Sequence, residues 1–159
     1  MAALGIPEAN VYRVPALPAE EAAAAYAATM LATPNEVCAE RKGLPVLDLV
    51  LLGSGADGHC ASLYPESSQV VCSPGSDQAY LPAEGKGGIT LSLDAIGSAK
   101  NVMISAGKAA QSDMVRKCLG WSNAATNTKF PAGMIAARVP GTEVEWLLTQ
   151  DSAADLPAL

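Results

Sequence analysis

The feature that most constrains this chain is an apolar run, Leu44-Pro-Val-Leu-Asp-Leu-Val-Leu-Leu52, followed at once by Gly53-Ser-Gly-Ala-Asp-Gly-His59. Only Asp48 interrupts the run. Bounded by proline and glycine, it predicts a strand buried on both faces, as in a parallel sheet. Such sheets meet their ligands beyond the carboxyl ends of the strands, which directs attention to whatever follows Leu52.

The surrounding elements fit the same architecture. Three prolines in residues 6–18 leave room for at most a short strand near Val11–Val14. Pro18 then heads Ala19–Ala32, where two carboxylates and a run of alanines predict a helix that Pro34 stops. Small side chains let such a helix lie close to a sheet. Ile89–Leu93 alternates like a strand, Asp94 is placed to cap a short helix through Lys100, and Asn101–Ser105 reads as another buried strand. Lys108–Leu119 has helical spacing and stops at Gly120, residues 121–129 form a polar loop, and Val144–Leu148 is a last strand. Alternating strands and helices imply a single α/β domain over residues 1–159. The expected form is a three-layer, Rossmann-like, mainly parallel sheet with flanking helices.

Half of the 159 residues are hydrophobic and only 4% aromatic, so Ala, Val, Leu and Ile must build the core. A net charge of −6 without a Lys/Arg cluster argues against nucleic-acid binding. No apolar stretch approaches the ~20 residues of a membrane span, and the first residues lack a secretory pattern. Cys38, Cys60, Cys72 and Cys118 show no paired spacing and accompany a single histidine. That predicts no metal site and reduced thiols in a cytoplasmic protein.

Gly53, Gly55 and Gly58 spell G-x-G-x-x-G after a strand, as dinucleotide sites do. That fingerprint requires a helix to open within the glycine run. Pro65, Pro74 and the polar residues between them make a long helix there unfavourable, although Asp77 lies at a plausible distance for a ribose contact.

A second reading uses more of the residues. Gly53-Ser-Gly-Ala-Asp-Gly-His-Cys-Ala-Ser-Leu-Tyr-Pro65 closely resembles the signature of the 6-phosphogluconolactonases, which share an α/β superfamily with the glucosamine-6-phosphate deaminases. The deaminase version continues towards Ala-Phe-Asn-Glu-Pro, so Ala61-Ser-Leu-Tyr-Pro65 favours the lactonase branch. Matches recur in order at Ile6–Arg13, Asp48–Gly53, Ile89–Leu93 with Ala99–Val102, Pro131–Met134 and Glu143–Leu148. The resemblance implies hydrolysis of 6-phospho-D-glucono-1,5-lactone to 6-phosphogluconate in the oxidative pentose phosphate pathway, without a cofactor. It also implies that His59 is the general base.

The chemistry suits these residues. An imidazole titrating near neutrality can take a proton from the attacking water and return it to the departing ring oxygen. Asp57 is near enough in sequence to orient the ring, although a turn or capping role explains it nearly as well. The glycines would let backbone N–H groups approach the substrate and steady an oxyanion. Cys60 stands where the family usually has Thr, and nothing suggests a nucleophile.

For the phosphate, the family uses a lysine in Thr-Gly-x-x-Lys-Ala, matched in shortened form by Ser105-Ala-Gly-Lys108-Ala109. It also uses an arginine where Gly88 stands, two residues from Lys86. A lysine can neutralise a phosphate without gripping it in bidentate fashion, and both lysines have an alternative as solvated surface residues.

The family's first strands, its Gly-Gly-Ser-type phosphate loop and an acidic-Arg segment find no counterpart before residue 6. The expected sheet is therefore incomplete on its N-terminal side and leaves an exposed edge, open to self-association or to a complementing chain. Three readings stand: a lactonase, a sugar-phosphate-binding or structural remnant of the same fold, and a nucleotide-binding module.

Overall fold

The computed structural model describes residues 5–73, 75–83, 85, 87–120, 124–135 and 143–157. Proline and two glutamates start the first helix, α1 (Ala19–Leu31), as expected. Ala22 and Ala23 are buried, and the helix lies against a small antiparallel hairpin of β4 (Tyr80–Pro82) and β5 (Ile89–Leu91), with Tyr26 meeting Tyr80 edge to face at 4.9 Å. No strand forms between Val11 and Val14; a 3-10 turn at Glu8–Asn10 leads into irregular chain.

The run 44–52 does not form one strand. Its first part, β2 (Leu44–Val46), pairs antiparallel with β1 (Ala39–Arg41) across Lys42-Gly43, both at positive φ, as a tight two-residue hairpin requires. Its last part, β3 (Val50–Gly53), joins a different sheet. The change of sheet falls at Asp48. Its carboxylate takes the Lys100 ammonium at 2.5 Å, and its carbonyl accepts from the Asn101 side chain at 2.9 Å.

That second sheet is wholly parallel, in the order β3, β6 (Asn101–Ala106), β7 (Glu143–Leu148), with β6 central and Gly53 opposite Ser105. One face is covered. Val50, Val102, Ile104 and Ala106 pack with Leu63, Ile96, Met114 and Val115 into the main core. The other face carries Leu51, Met103 and Leu147, with Leu51 67% and Leu147 60% exposed. Burial on both faces was expected of this strand and does not occur, because no described element lies over that side. Leu51, Leu52, Met103 and Leu147 line a shallow hollow there.

Two helix starts differ from expectation. Ser92, not Asp94, caps α3 (Leu93–Ile96), its hydroxyl accepting from the Ala95 N–H at 3.0 Å. Asp94 already lies inside the first turn and accepts from the Gly75 N–H at 2.6 Å instead. The segment after Lys108 opens as a 3-10 turn at Ala109–Gln111 before continuing as α4 (Ser112–Gly120). Two short helices, α2 (Ser68–Cys72) and α5 (Pro131–Met134), and a 3-10 turn at Ala124–Thr126 complete the described elements. None of the helices in the described residues is long and apolar enough to cross a membrane.

Candidate functional site

At the end of β3 the chain turns back on itself. The Gly58 N–H donates to the Gly55 carbonyl at 3.0 Å, and the Gly55 N–H to the His59 carbonyl at 2.9 Å. The hairpin-like loop closes through bridges from Ser54 to Cys60 and from Cys60 to Leu63. No helix opens in the glycine run; the next one, α2, begins at Ser68 and has five residues. A dinucleotide site of the expected kind is therefore absent, because no helix N-terminus is presented to a pyrophosphate.

The turn brings Asp57 and His59 together. One carboxylate oxygen of Asp57 lies 2.6 Å from His59 Nδ1 and accepts the His59 backbone N–H at 3.2 Å. A carboxylate can only accept, so Nδ1 carries a ring proton, and in the neutral imidazole the lone pair is on Nε2. Partial burial works to raise the Asp57 carboxyl. The hydrogen bonds from the His59 ring and backbone outweigh it and hold the group below its ordinary value. His59 is 32% exposed, reachable from solvent, and its ring lies 5.0 Å from that of Tyr64.

The two inner glycines supply room. A Cβ on Gly55 would land on Asp57 Oδ1 and His59 Nδ1, so only glycine lets this pair fold over the backbone. Gly58 sits at φ +92°, and a Cβ there would come within 2.7 Å of the Phe130 ring. Both N–H groups are occupied within the loop. Gly53, the last residue of β3, has open space on its Cβ side.

Support comes from far along the chain. The Ala132 N–H donates to the Gly58 carbonyl at 2.9 Å, and the Glu66 N–H to the Thr128 carbonyl at 2.9 Å. Buried Thr90 accepts from the Ser62 N–H at 3.1 Å. Ala61, between Cys60 and Ser62, takes a positive φ of 51°, uncommon for a residue with a Cβ. Cys60 itself points into the core with no exposed surface. Burial first, and nearby Cys118 second, push its thiol up to about 12, the opposite of what a nucleophile needs.

Lys108 lies two residues beyond the end of the adjacent strand β6, so its segment and the His59 loop leave the sheet side by side. Lys108 is exposed. Lys86 lies outside the described residues. One residue that sequence reasoning passed over links the two segments: buried Gln111, whose amide contacts Ser54 on one side and Lys108 on the other. Nothing in its immediate sequence marks it as buried. A cleft of about 440 Å³ between α1 and β4, lined by Ala23, Ala27, Tyr80 and Pro82 among others, contains none of these candidates. Among the described residues no group of three or more His, Cys, Asp or Glu could hold a metal.

The mixed α/β fold and this loop define a class. Residues 1–146 match the family of glucosamine-6-phosphate isomerases and 6-phosphogluconolactonases, and the chain belongs to that family. A chloroplastic 6-phosphogluconolactonase of Arabidopsis thaliana is 34% identical over 161 residues, covering 95% of this chain and 46% of its own length. The 6-phosphogluconolactonase of Mycobacterium leprae is 31% identical, covering 93% and 54% respectively. Among solved structures, the devB protein superposes with a TM-score of 0.75 at 25% identity, over 96% of this chain and 61% of that one. The 6-phosphogluconolactonase of Trypanosoma brucei gives 0.64 at 26%, over 86% and 53%. The chain thus spans about half the length of the curated relatives it matches.

Proposed function

We propose that this chain carries the His59 part of a lactone-hydrolase site acting on 6-phospho-D-glucono-1,5-lactone. The observation that carries the reading is the Asp57–His59 pair at the carboxyl end of β3, which engages Nδ1 and leaves Nε2 of a partly exposed ring as the nitrogen for proton transfer in the neutral imidazole. In the proposed reaction, Nε2 takes a proton from water as the water oxygen bonds to the lactone carbonyl carbon. The tetrahedral intermediate collapses with cleavage of the bond to the ring oxygen. That oxygen receives the proton from Nε2, giving 6-phosphogluconate. Asp57 holds the ring and stabilises the imidazolium formed midway. Lys108, on the neighbouring strand end, neutralises the phosphate, with Lys86 as a second candidate cation. None of these steps requires a cofactor.

Four unpaired cysteines, three of them buried, support a cytoplasmic setting. The exposed leucines on the bare face of the sheet, together with the outer side of β3, which pairs with no other strand among the described residues, support association with a second copy or a complementing chain. On that reading the specific rate rises with protein concentration. A binding-only version of the site uses the same residues without turnover.

The test is lactone hydrolysis by the chain and by His59→Ala, with the spontaneous rate subtracted. General-base catalysis contributes about 10²- to 10⁴-fold, and the substitution should remove it. Equal rates in the two proteins would sink the hydrolase reading. Failure to bind 6-phosphogluconate would sink the binding-only version as well.

A further inference from the structure

Gln111 has 5% of its surface exposed, deep burial for a side chain with both a donor and an acceptor to satisfy. Its Oε1 accepts the Lys108 N–H at 2.8 Å. Its Nε2 donates to the Ser54 carbonyl at 2.7 Å and lies 3.3 Å from the Ser54 hydroxyl. Only this orientation of the amide works, since the flipped one would set oxygen against carbonyl oxygen and N–H against N–H. Ser54 directly precedes the Gly55–His59 turn, and Lys108 directly precedes the 3-10 turn that carries Gln111.

The other peptide groups around Lys108 are held as well. The Ser105 carbonyl accepts the Ser54 N–H at 3.1 Å, and the Ala106 carbonyl accepts the hydroxyl of fully buried Ser152 at 2.5 Å. The Gly107 carbonyl accepts from Thr149 at 3.3 Å, and the Lys108 carbonyl accepts the Gln111 N–H at 2.9 Å. The Ser54 hydroxyl also donates to the Ser105 carbonyl at 3.0 Å, and Gln111 extends the tie between this segment and the His59 loop from Ser105 to Lys108.

We infer that Gln111 is a positioning residue that locks the Lys108 backbone to the His59 loop, holding the phosphate-side and proton-transfer halves of the site at one spacing. The inference rests on the proposed hydrolase reading for its kinetic consequences, while the strap itself has a readout independent of activity. Two substitutions separate the arms. Gln111→Glu keeps the acceptor for the Lys108 N–H but sets an oxygen against the Ser54 carbonyl. Gln111→Leu removes both arms at similar volume.

Gln111→Glu should lower kcat about tenfold with KM within about twofold, because only the His59 side loosens. Gln111→Leu should lower kcat similarly and also raise KM about tenfold. Hydrogen exchange at the Lys108 N–H should quicken at least about tenfold in Gln111→Leu and stay slow in Gln111→Glu. A lowered melting temperature with unchanged kcat and KM in both variants would mean a merely structural role and overturn the inference, leaving the hydrolase reading intact. Should the unaltered chain show no His59-dependent hydrolysis, that reading falls and exchange decides alone. Unchanged exchange at Lys108 in Gln111→Leu overturns the strap, and acceleration there supports it. Where Gln111→Leu does not fold, Gln111→Glu carries the test through its kcat in an active chain. In an inactive one, slow exchange at Lys108 with faster exchange at Gly55 supports the strap, and no change at Gly55 overturns it.

Discussion

Two chain segments leave adjacent parallel strands side by side, and they are organised in opposite ways. The loop after β3 is shaped largely from within: Gly55 and Gly58 close the turn, and Asp57 orients His59 two residues on. The segment after β6 is fixed more from outside. Its Ser105, Ala106 and Gly107 carbonyls accept from Ser54, Ser152 and Thr149, which arrive from other parts of the chain, and only the Lys108–Gln111 turn is local. The first arrangement concentrates its requirements in a few adjacent residues. The second spreads them over partners that can be altered one at a time, so single changes should weigh more heavily on the β3 side.

That contrast can be broken by substitution. The largest effect is expected for Gly55→Ala, whose methyl would occupy the space of the Asp57–His59 contact. Displacing the imidazole by about 1 Å should cost on the order of 10² in lactone hydrolysis, measured against the unaltered chain. A smaller loss, about tenfold in kcat, is expected for Asp57→Asn, which keeps the shape but cannot stabilise the imidazolium. This variant also sharpens the picture through pH. Asp57 titrates below its ordinary value of 3.8 in the folded chain. Its stabilising contribution is therefore complete above that pH and fades as pH falls below it. Acid unfolding monitored by circular dichroism should show that component in the unaltered chain and not in Asp57→Asn. The smallest effect belongs to the β6 side. Ser152→Ala removes a buried hydroxyl from the Ala106 carbonyl and should cost about 1 kcal/mol, a few degrees in melting temperature, with kcat changed less than about twofold. A kcat loss for Ser152→Ala matching that of Asp57→Asn would refute the contrast.

The same contrast explains what could be read from the sequence. Where conformation follows from neighbouring residues, the expectation holds: proline and glutamates begin α1, the segments of β6 and β7 form strands, and Gly55 and Gly58 make the turn before His59. Asp57 also meets its histidine, a contact that its spacing allowed and only the turn decides. What failed depended on distant partners. Leu44–Leu52 divided between two sheets because Asp48 meets Lys100 and Asn101, both far along the chain. Leu51 carries a fully apolar side chain yet stands exposed, since the alternation of covered and bare faces depends on what packs against the sheet. The β1–β2 hairpin had a local signal in Lys42-Gly43 that went unused. Gln111 had none, because a glutamine at the start of an amphipathic helix looks like any solvated residue until the facing loop is known.

The bond from Ala132 to the Gly58 carbonyl bears on the order of events during synthesis. The His59 turn leaves the ribosome well before the segment that props it, along with Thr128, which receives the Glu66 N–H. Closing so wide a span carries an entropic cost that the rest of the fold must meet before these bonds can hold the loop. A nascent chain that already contains every atom of the Asp57–His59 pair still lacks the backing that holds its loop.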